Sequence, residues 1–138
     1  MVDQKYRIDK EDYANAGRVS SQIKQTLKQL GVPADTLRRI AISCYEAEIN
    51  MIIHSDGGEI MLYLSAEGLC TLVFKDIGPG IIDIEKAMTP GWSTAQEKAR
   101  QFGFGAGMGL PNIKRNTDEF DIQSSPAGTE LTLRFYIV

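Results

Sequence analysis

The sequence is short of the residues that carry redox and metal chemistry. It holds two cysteines and a single histidine in 138 residues. One histidine, His54, excludes a multi-histidine metal site. Cys44 and Cys70 each lie in an apolar segment and read as reduced core thiols rather than a disulfide framework. No apolar run reaches the length of about 18 residues that a membrane-crossing helix needs. The first residues, Met1-Val2-Asp3-Gln4-Lys5, lack the basic-then-apolar order of a secretory leader, so a cytoplasmic location is expected. Positive charge is not in excess either. Fifteen Lys and Arg against 18 Asp and Glu leave a net charge of −3, with nothing to offset a nucleic-acid backbone. Internal repeats and low-complexity tracts are absent.

What is present has the proportions of one globular domain spanning residues 1–138, with 43% hydrophobic and 24% charged residues. Lys5 to Ile8 reads as a short strand. Asp9 or Asp12 is placed to cap a helix running to about Leu30, with Val19, Ile23, Leu27 and Leu30 on its apolar side. Gly31 stops that helix, and Pro33 opens a second one over about Ala34 to Ser55. Asp56-Gly57-Gly58 makes a turn. Glu59 to Ser65 alternates, with Ile60, Leu62 and Leu64 on one face, and Glu67-Gly68 turns the chain into Leu69 to Lys75, forming a hairpin. A third helix starts near Met108 and includes Leu110, Ile113 and Lys114. Phe120 to Ser124 and Thr129 to Val138 form a second hairpin about Pro126-Ala127-Gly128. Helices and paired hairpins in this order imply an α+β two-layer sandwich, with helices on one face of a mixed, largely antiparallel sheet.

The second helix carries the first chemical signal. Leu37, Ile40, Ala41, Cys44, Tyr45, Ile49, Ile52 and Ile53 cover most of its circumference, while Glu46, Asn50 and His54 fall in one sector roughly 80° wide. Ser43 lies between them. The stripe is either the solvent side of the helix or a site, since buried polar groups are costly without partners. As a site, Glu46 has the reach of a general base, and Asn50 offers a neutral oxygen to a hard cation such as magnesium. Glu48 points into the apolar sector, and the sequence supplies no reason for it.

Two glycine motifs follow. Asp76-Ile77-Gly78-Pro79-Gly80 ends a strand with an acceptor and lets the backbone approach a flat ligand closely. Gly103-Phe104-Gly105-Ala106-Gly107-Met108-Gly109-Leu110 leads into a helix and suits phosphate binding through its open N–H groups. It is no P-loop, because no Gly-Lys-Ser/Thr occurs in the chain. It is no dinucleotide fingerprint, because the spacing and the surrounding βαβ unit are missing. Between the motifs, residues 81–102 have the length of a lid, with Pro90-Gly91-Trp92-Ser93-Thr94 at the centre.

Glu46-x-x-x-Asn50, Asp76-x-Gly78-x-Gly80, Gly105-x-Gly107-x-Gly109-Leu110 and Gly128-Thr129, in that order, resemble the four boxes of the GHKL ATPase superfamily. The small size resembles its bacterial anti-sigma factor serine kinases, and Gly105 to Arg115 with Ser93-Thr94 is most similar to the switch-protein kinases of stressosome-type partner-switching modules. The resemblance implies a histidine-kinase-like fold binding ATP and Mg2+. It assigns Glu46 as the base and Asn50 as the Mg2+ ligand. It makes Asp76 the acceptor for the adenine amino group, with Gly78 and Gly80 beside the ring and Thr129 assisting Asp76 through its hydroxyl or a water. Gly105, Gly107 and Gly109 would wrap the phosphates, with His54, Met108 and Leu110 among the nucleotide contacts. Met51 follows Asn50 where many relatives carry alanine, and Lys114 and Arg115 are either phosphate contacts or exposed positions on the third helix. The implied activity is ATP-dependent phosphorylation of a serine or threonine on a STAS-domain antagonist protein. The alternative is a nucleotide-gated module that sequesters a sigma factor or regulator with little turnover. Relatives of this kind often form homodimers.

Overall fold

The computed structural model describes residues 2–78, Met88 and residues 109–137. Five strands and three α-helices make up the described chain: β1 (Val2–Ile8), α1 (Arg18–Gln29), α2 (Ala34–His54), β2 (Gly58–Leu64), β3 (Leu69–Asp76), α3 (Gly109–Asn116), β4 (Glu119–Ser125) and β5 (Gly128–Tyr136). The strands form one sheet in the order β1-β2-β3-β5-β4, and each of the four pairings is antiparallel. The expected α+β two-layer architecture is present.

Alternation builds the inner layer. Ile60 and Leu62 of β2, Cys70, Leu72 and Phe74 of β3, and Leu131, Leu133 and Phe135 of β5 are buried, while the residues between them face the other way. Val19, Ile23 and Leu27 of α1 are wholly buried and belong to the same core as Ile40, Cys44, Ala47, Met51 and Ile52 of α2. Both cysteines are free and buried, as expected, and burial pushes the Cys44 thiol well up and that of Cys70 up to about 12. Arg39 of α2 ties the end of α3 to the start of β4, donating to the Asn116 carbonyl at 3.0 Å and to Asp118 Oδ1 at 2.9 Å.

Several boundaries differ from the sequence reading, β5 among them, which runs Gly128–Tyr136 rather than Thr129 to Val138. β1 begins at Val2, because Val2, Asp3 and Gln4 find ladder partners in Leu64, Tyr63 and Leu62 that local composition does not show. Leu30 is 52% exposed, since α1 ends at Gln29 and Leu30 forms its C-cap outside the apolar stripe. The start of α1 is corrected most. Asp9 and Asp12 do not cap it. Asp12 precedes a short 3-10 turn (Tyr13–Asn15) and accepts from the Asn15 side chain at 2.9 Å, while α1 starts at Arg18 behind Gly17. Gly17 has φ +91° and no side chain with which to cap.

Glu48 supplies the missing cap. Its carboxylate accepts the N–H of Gly17 at 3.1 Å, of Val19 at 3.2 Å and of Ser20 at 2.8 Å. These are donors that a helix start leaves without intrahelical partners, and the positive end of the helix dipole favours a carboxylate there. Glu48 is 1% exposed, which three N–H donors make tolerable. Ser43 is also buried and satisfies its hydroxyl on the Arg39 carbonyl at 2.9 Å, so it belongs to the core rather than to the polar stripe.

Candidate functional site

Asn50 and Glu46 are half-buried on one side of α2. α3 begins directly on Asn50. A Cβ at Gly109 would lie 2.9 Å from Asn50 Nδ2 and 3.0 Å from Oδ1, so a side chain there would push the carboxamide aside. One turn earlier, the Glu46 carboxylate has no hydrogen-bond or ion-pair partner among the described residues. Desolvation raises its pKa above the ordinary carboxylate value. A carboxylate in that state is able to take up a proton from a nearby hydroxyl. His54 closes the stripe at the end of α2. It is exposed by area, yet enough protein surrounds the imidazole for desolvation to lower its pKa.

Asp76 is the last residue of β3. Its Oδ1 accepts the Thr129 N–H at 2.8 Å, and its other oxygen has no partner among the described residues. Desolvation raises its pKa and the Asp56 charge adds to that, while the Thr129 N–H pulls the other way. The contact between Thr129 and Asp76 is thus made by the Thr129 amide, while its hydroxyl pairs with Ser124 Oγ at 2.8 Å. Gly128 packs against the same strand end: with φ +148°, a Cβ there would lie 2.1 Å from the Asp76 carbonyl oxygen. Gly78, φ +153°, donates to the Ala127 carbonyl at 3.3 Å, and a Cβ on it would lie 3.3 Å from Asp56 N and Ser55 Cα. The end of α2, the end of β3 and the start of β5 therefore interlock through backbone. A depression of about 350 Å³ opens beside them, lined by Lys75, Asp76, Gln123, Ser124, Gly128 and Thr129 among others.

The family model for the histidine kinase-like ATPase domain matches residues 10–135. The chain belongs to this family. Serine/threonine-protein kinase RsbT of Bacillus subtilis is 34% identical over 113 residues, covering 78% of this chain and 78% of that protein. The anti-sigma F factor of Thermoanaerobacter sp. (strain X514) is 33% identical over 115 residues, covering 79% of this chain and 76% of its own length. Among solved structures, the RsbU and RsbW domains of Rv1364c from Mycobacterium tuberculosis superpose with a TM-score of 0.69 at 18% identity, covering 99% of this chain and 33% of that one, a likeness of fold. This histidine kinase-like ATPase domain is therefore related to the anti-sigma factor and stressosome kinases within the GHKL superfamily.

In this ATPase domain the described parts of the four boxes converge on two places. Asn50 meets Gly109, and Asp76 meets Gly128 and Thr129, with Gly78 linking β3 to the end of α2. Leu110 is 7% exposed and packs in the core, so a ligand would meet it only through its backbone. Lys114 is exposed, and Arg115 donates to Asn112 Oδ1 at 2.7 Å. Gly80, Gly105, Gly107 and Met108 lie outside the described residues, as do Trp92, Ser93 and Thr94 of the expected lid. Among the described residues no three His, Cys, Asp or Glu side chains gather to hold a metal, and no helix is long and apolar enough to cross a membrane. Ser124, the partner of the Thr129 hydroxyl, is the residue that sequence reasoning missed here, and the cap role of Glu48 and the close approach of Gly128 to Asp76 come from the structure. The only signal for Glu48 was its misfit in an apolar sector.

Proposed function

We propose that the protein is an ATP-dependent serine/threonine kinase of the anti-sigma, partner-switching type that phosphorylates a STAS-domain antagonist protein. The observation that carries the reading is the pair on α2. Glu46 is a carboxylate with a raised pKa and no partner among the described residues, one turn from Asn50, against whose amide the glycine-led start of α3 is packed. The relationship to RsbT, which is named a serine/threonine-protein kinase, supports the choice of reaction.

The donor set fits a magnesium nucleotide. A hard cation takes few protein oxygens when phosphates and waters complete its shell, and Asn50 Oδ1 is such an oxygen. The Asp76 oxygen that has no partner among the described residues is an acceptor suited to an exocyclic amino group, and Thr129 N–H holds that carboxylate in orientation. When bound, Mg·ATP supplies the transferable phosphoryl group. Glu46 takes the proton of the acceptor hydroxyl as its oxygen bonds to phosphorus and the bond to the ADP oxygen breaks. Gly109 keeps space for the phosphates beside Asn50. Positioning and charge neutralisation carry most of such a transfer, so few groups suffice.

The test is incubation of the protein with labelled Mg·ATP and a STAS-domain antagonist. Label on a serine or threonine of the antagonist supports the kinase reading. Absence of both transfer and ATP hydrolysis sinks it. Nucleotide-dependent binding of a sigma factor in that case would favour the sequestering module, a reading supported by the similarity to anti-sigma F factors.

A further inference from the structure

Glu48 is the one buried charged side chain among the described residues, and the proposed chemistry does not use it. It is a carboxylate on α2, 1% exposed, at a position whose neighbours Ala47 and Ile49 are ordinary core residues. An apolar side chain would fill that place without a charge to compensate. What the carboxylate adds is direction. Its two oxygens accept three N–H groups of one helix start, at 3.1, 3.2 and 2.8 Å. Two further contacts hold α2 to the chain around the start of α1. The Tyr45 ring lies where a Cβ on Gly17 would come within 3.0 Å, and the Ile52 carbonyl accepts the Glu11 N–H at 3.2 Å.

We infer that Glu48 is a positioning residue for Glu46 and Asn50, fixing the rotation of α2 about its own axis. The inference rests on the proposed function and extends it. Glu48 is two positions from each of them, and two positions are roughly 200° around a helix, so it anchors the side opposite the site. Side-chain ends sit about 5–6 Å from the axis, so a roll of about 20° would move the Glu46 carboxylate and the Asn50 carboxamide by about 2 Å. Misplacement of about 1 Å is enough to cost two orders of magnitude in a positioned reaction. Asp76 stands on β3 and is held by Thr129, so it does not move with such a roll.

That asymmetry defines the test. Glu48→Gln keeps the shape and one acceptor oxygen but turns an NH2 group toward N–H donors. Glu48→Asp keeps the charge and shortens the reach, and serves if Glu48→Gln fails to fold. Expected for either folded variant are faster hydrogen exchange at Val19 and Ser20, a displaced Asn50 side-chain amide resonance in the nucleotide-free protein, and a roughly tenfold loss of the affinity that Mg2+ adds to ADP. Adenosine affinity should stay within about twofold, because Asp76 is untouched, and kcat for phosphate transfer should fall more than KM for ATP rises. A folded variant with exchanging Val19 and Ser20 amides, an unmoved Asn50 resonance and an unchanged Mg2+ dependence overturns the inference. If wild-type protein shows no Mg2+-dependent nucleotide binding, it is the proposed function that fails. The Asn50 resonance then decides the positioning role: displaced supports it, unmoved overturns it.

Discussion

Glu46 and Glu48 are separated by one residue of the same helix and meet opposite surroundings. Glu48 is buried and saturated with three backbone donors from α1. Glu46 is half-buried, has no partner among the described residues, and feels its desolvation as a raised pKa. The residue type is identical, so chemistry alone does not separate a structural carboxylate from a reactive one. What separates them is whether the fold has already spent the oxygens. A carboxylate with its lone pairs occupied holds the chain together, whereas one left open is available to a proton or a ligand.

The contrast breaks most visibly at Glu46. Glu46→Gln should lower phosphate transfer by about 10²–10⁴-fold, the usual worth of a general base, while ATP affinity measured by calorimetry stays close to wild type. Transfer that survives the substitution would remove Glu46 from the chemistry. At Glu48 the large effect should appear in stability. Glu48→Ala leaves three N–H groups without acceptors, and urea denaturation should show a loss of about 2–4 kcal/mol. A loss under about 0.5 kcal/mol, the size of an ordinary surface change, would mean that water replaces the carboxylate and that the two glutamates differ less than their burial indicates.

Asp76 is a third carboxylate, half spent, with one oxygen on Thr129 and the other without a partner among the described residues. Asp76→Asn should weaken adenine nucleotides roughly tenfold to hundredfold, the worth of a hydrogen bond to a charged acceptor, with guanine nucleotides less affected. Equal losses for both bases would detach Asp76 from adenine selection. The smallest effect is one of pH. A carboxyl group whose folded-state pKa is raised contributes stability below its unfolded-state pKa and loses that contribution as pH rises through the folded value. Wild type should therefore lose stability relative to Glu46→Gln as pH climbs from 4 toward 7, and the two should converge at low pH. Transfer activity should rise over the same direction of pH, with a midpoint above the ordinary carboxylate value, because the base must be ionised.

Much of this arrangement was legible in the residues. The inner faces of β2 and β5 follow from simple alternation, and the α2 stripe follows from fourfold spacing of Glu46, Asn50 and His54. Both read well because one face of each element meets the core and period alone reports it. The start of α1 did not read well. Capping is usually a local affair of Ser, Thr, Asn or Asp just before the helix, and Asp9 and Asp12 invited that interpretation. Here the cap comes from 28 to 31 positions away, and no window of neighbouring residues contains it. The Gly109 contact with Asn50 is of the same kind. Motif order placed both in one superfamily pattern, but only packing brings the α3 start against the carboxamide. Of the glycines at 105 and 107 the described residues say nothing.

The order of strands in the sheet has a consequence for how the chain assembles. β2 and β3 are joined by a short turn, but β5 reaches β3 only after a long excursion, and the Thr129 amide that orients Asp76 lies 53 positions downstream of it. Closing a loop of that length costs about 3.5 kcal/mol of chain entropy beyond a constant, so β3–β5 pairing belongs among the late, non-local steps of folding. During synthesis the first 76 residues, which include Glu46, Asn50 and Asp76, have no β5 to complete the seam. A nascent chain therefore displays the α2 groups before Asp76 meets the Thr129 amide, and a ligand that bridges both sides of the seam would bind only the finished fold and protect it against reopening.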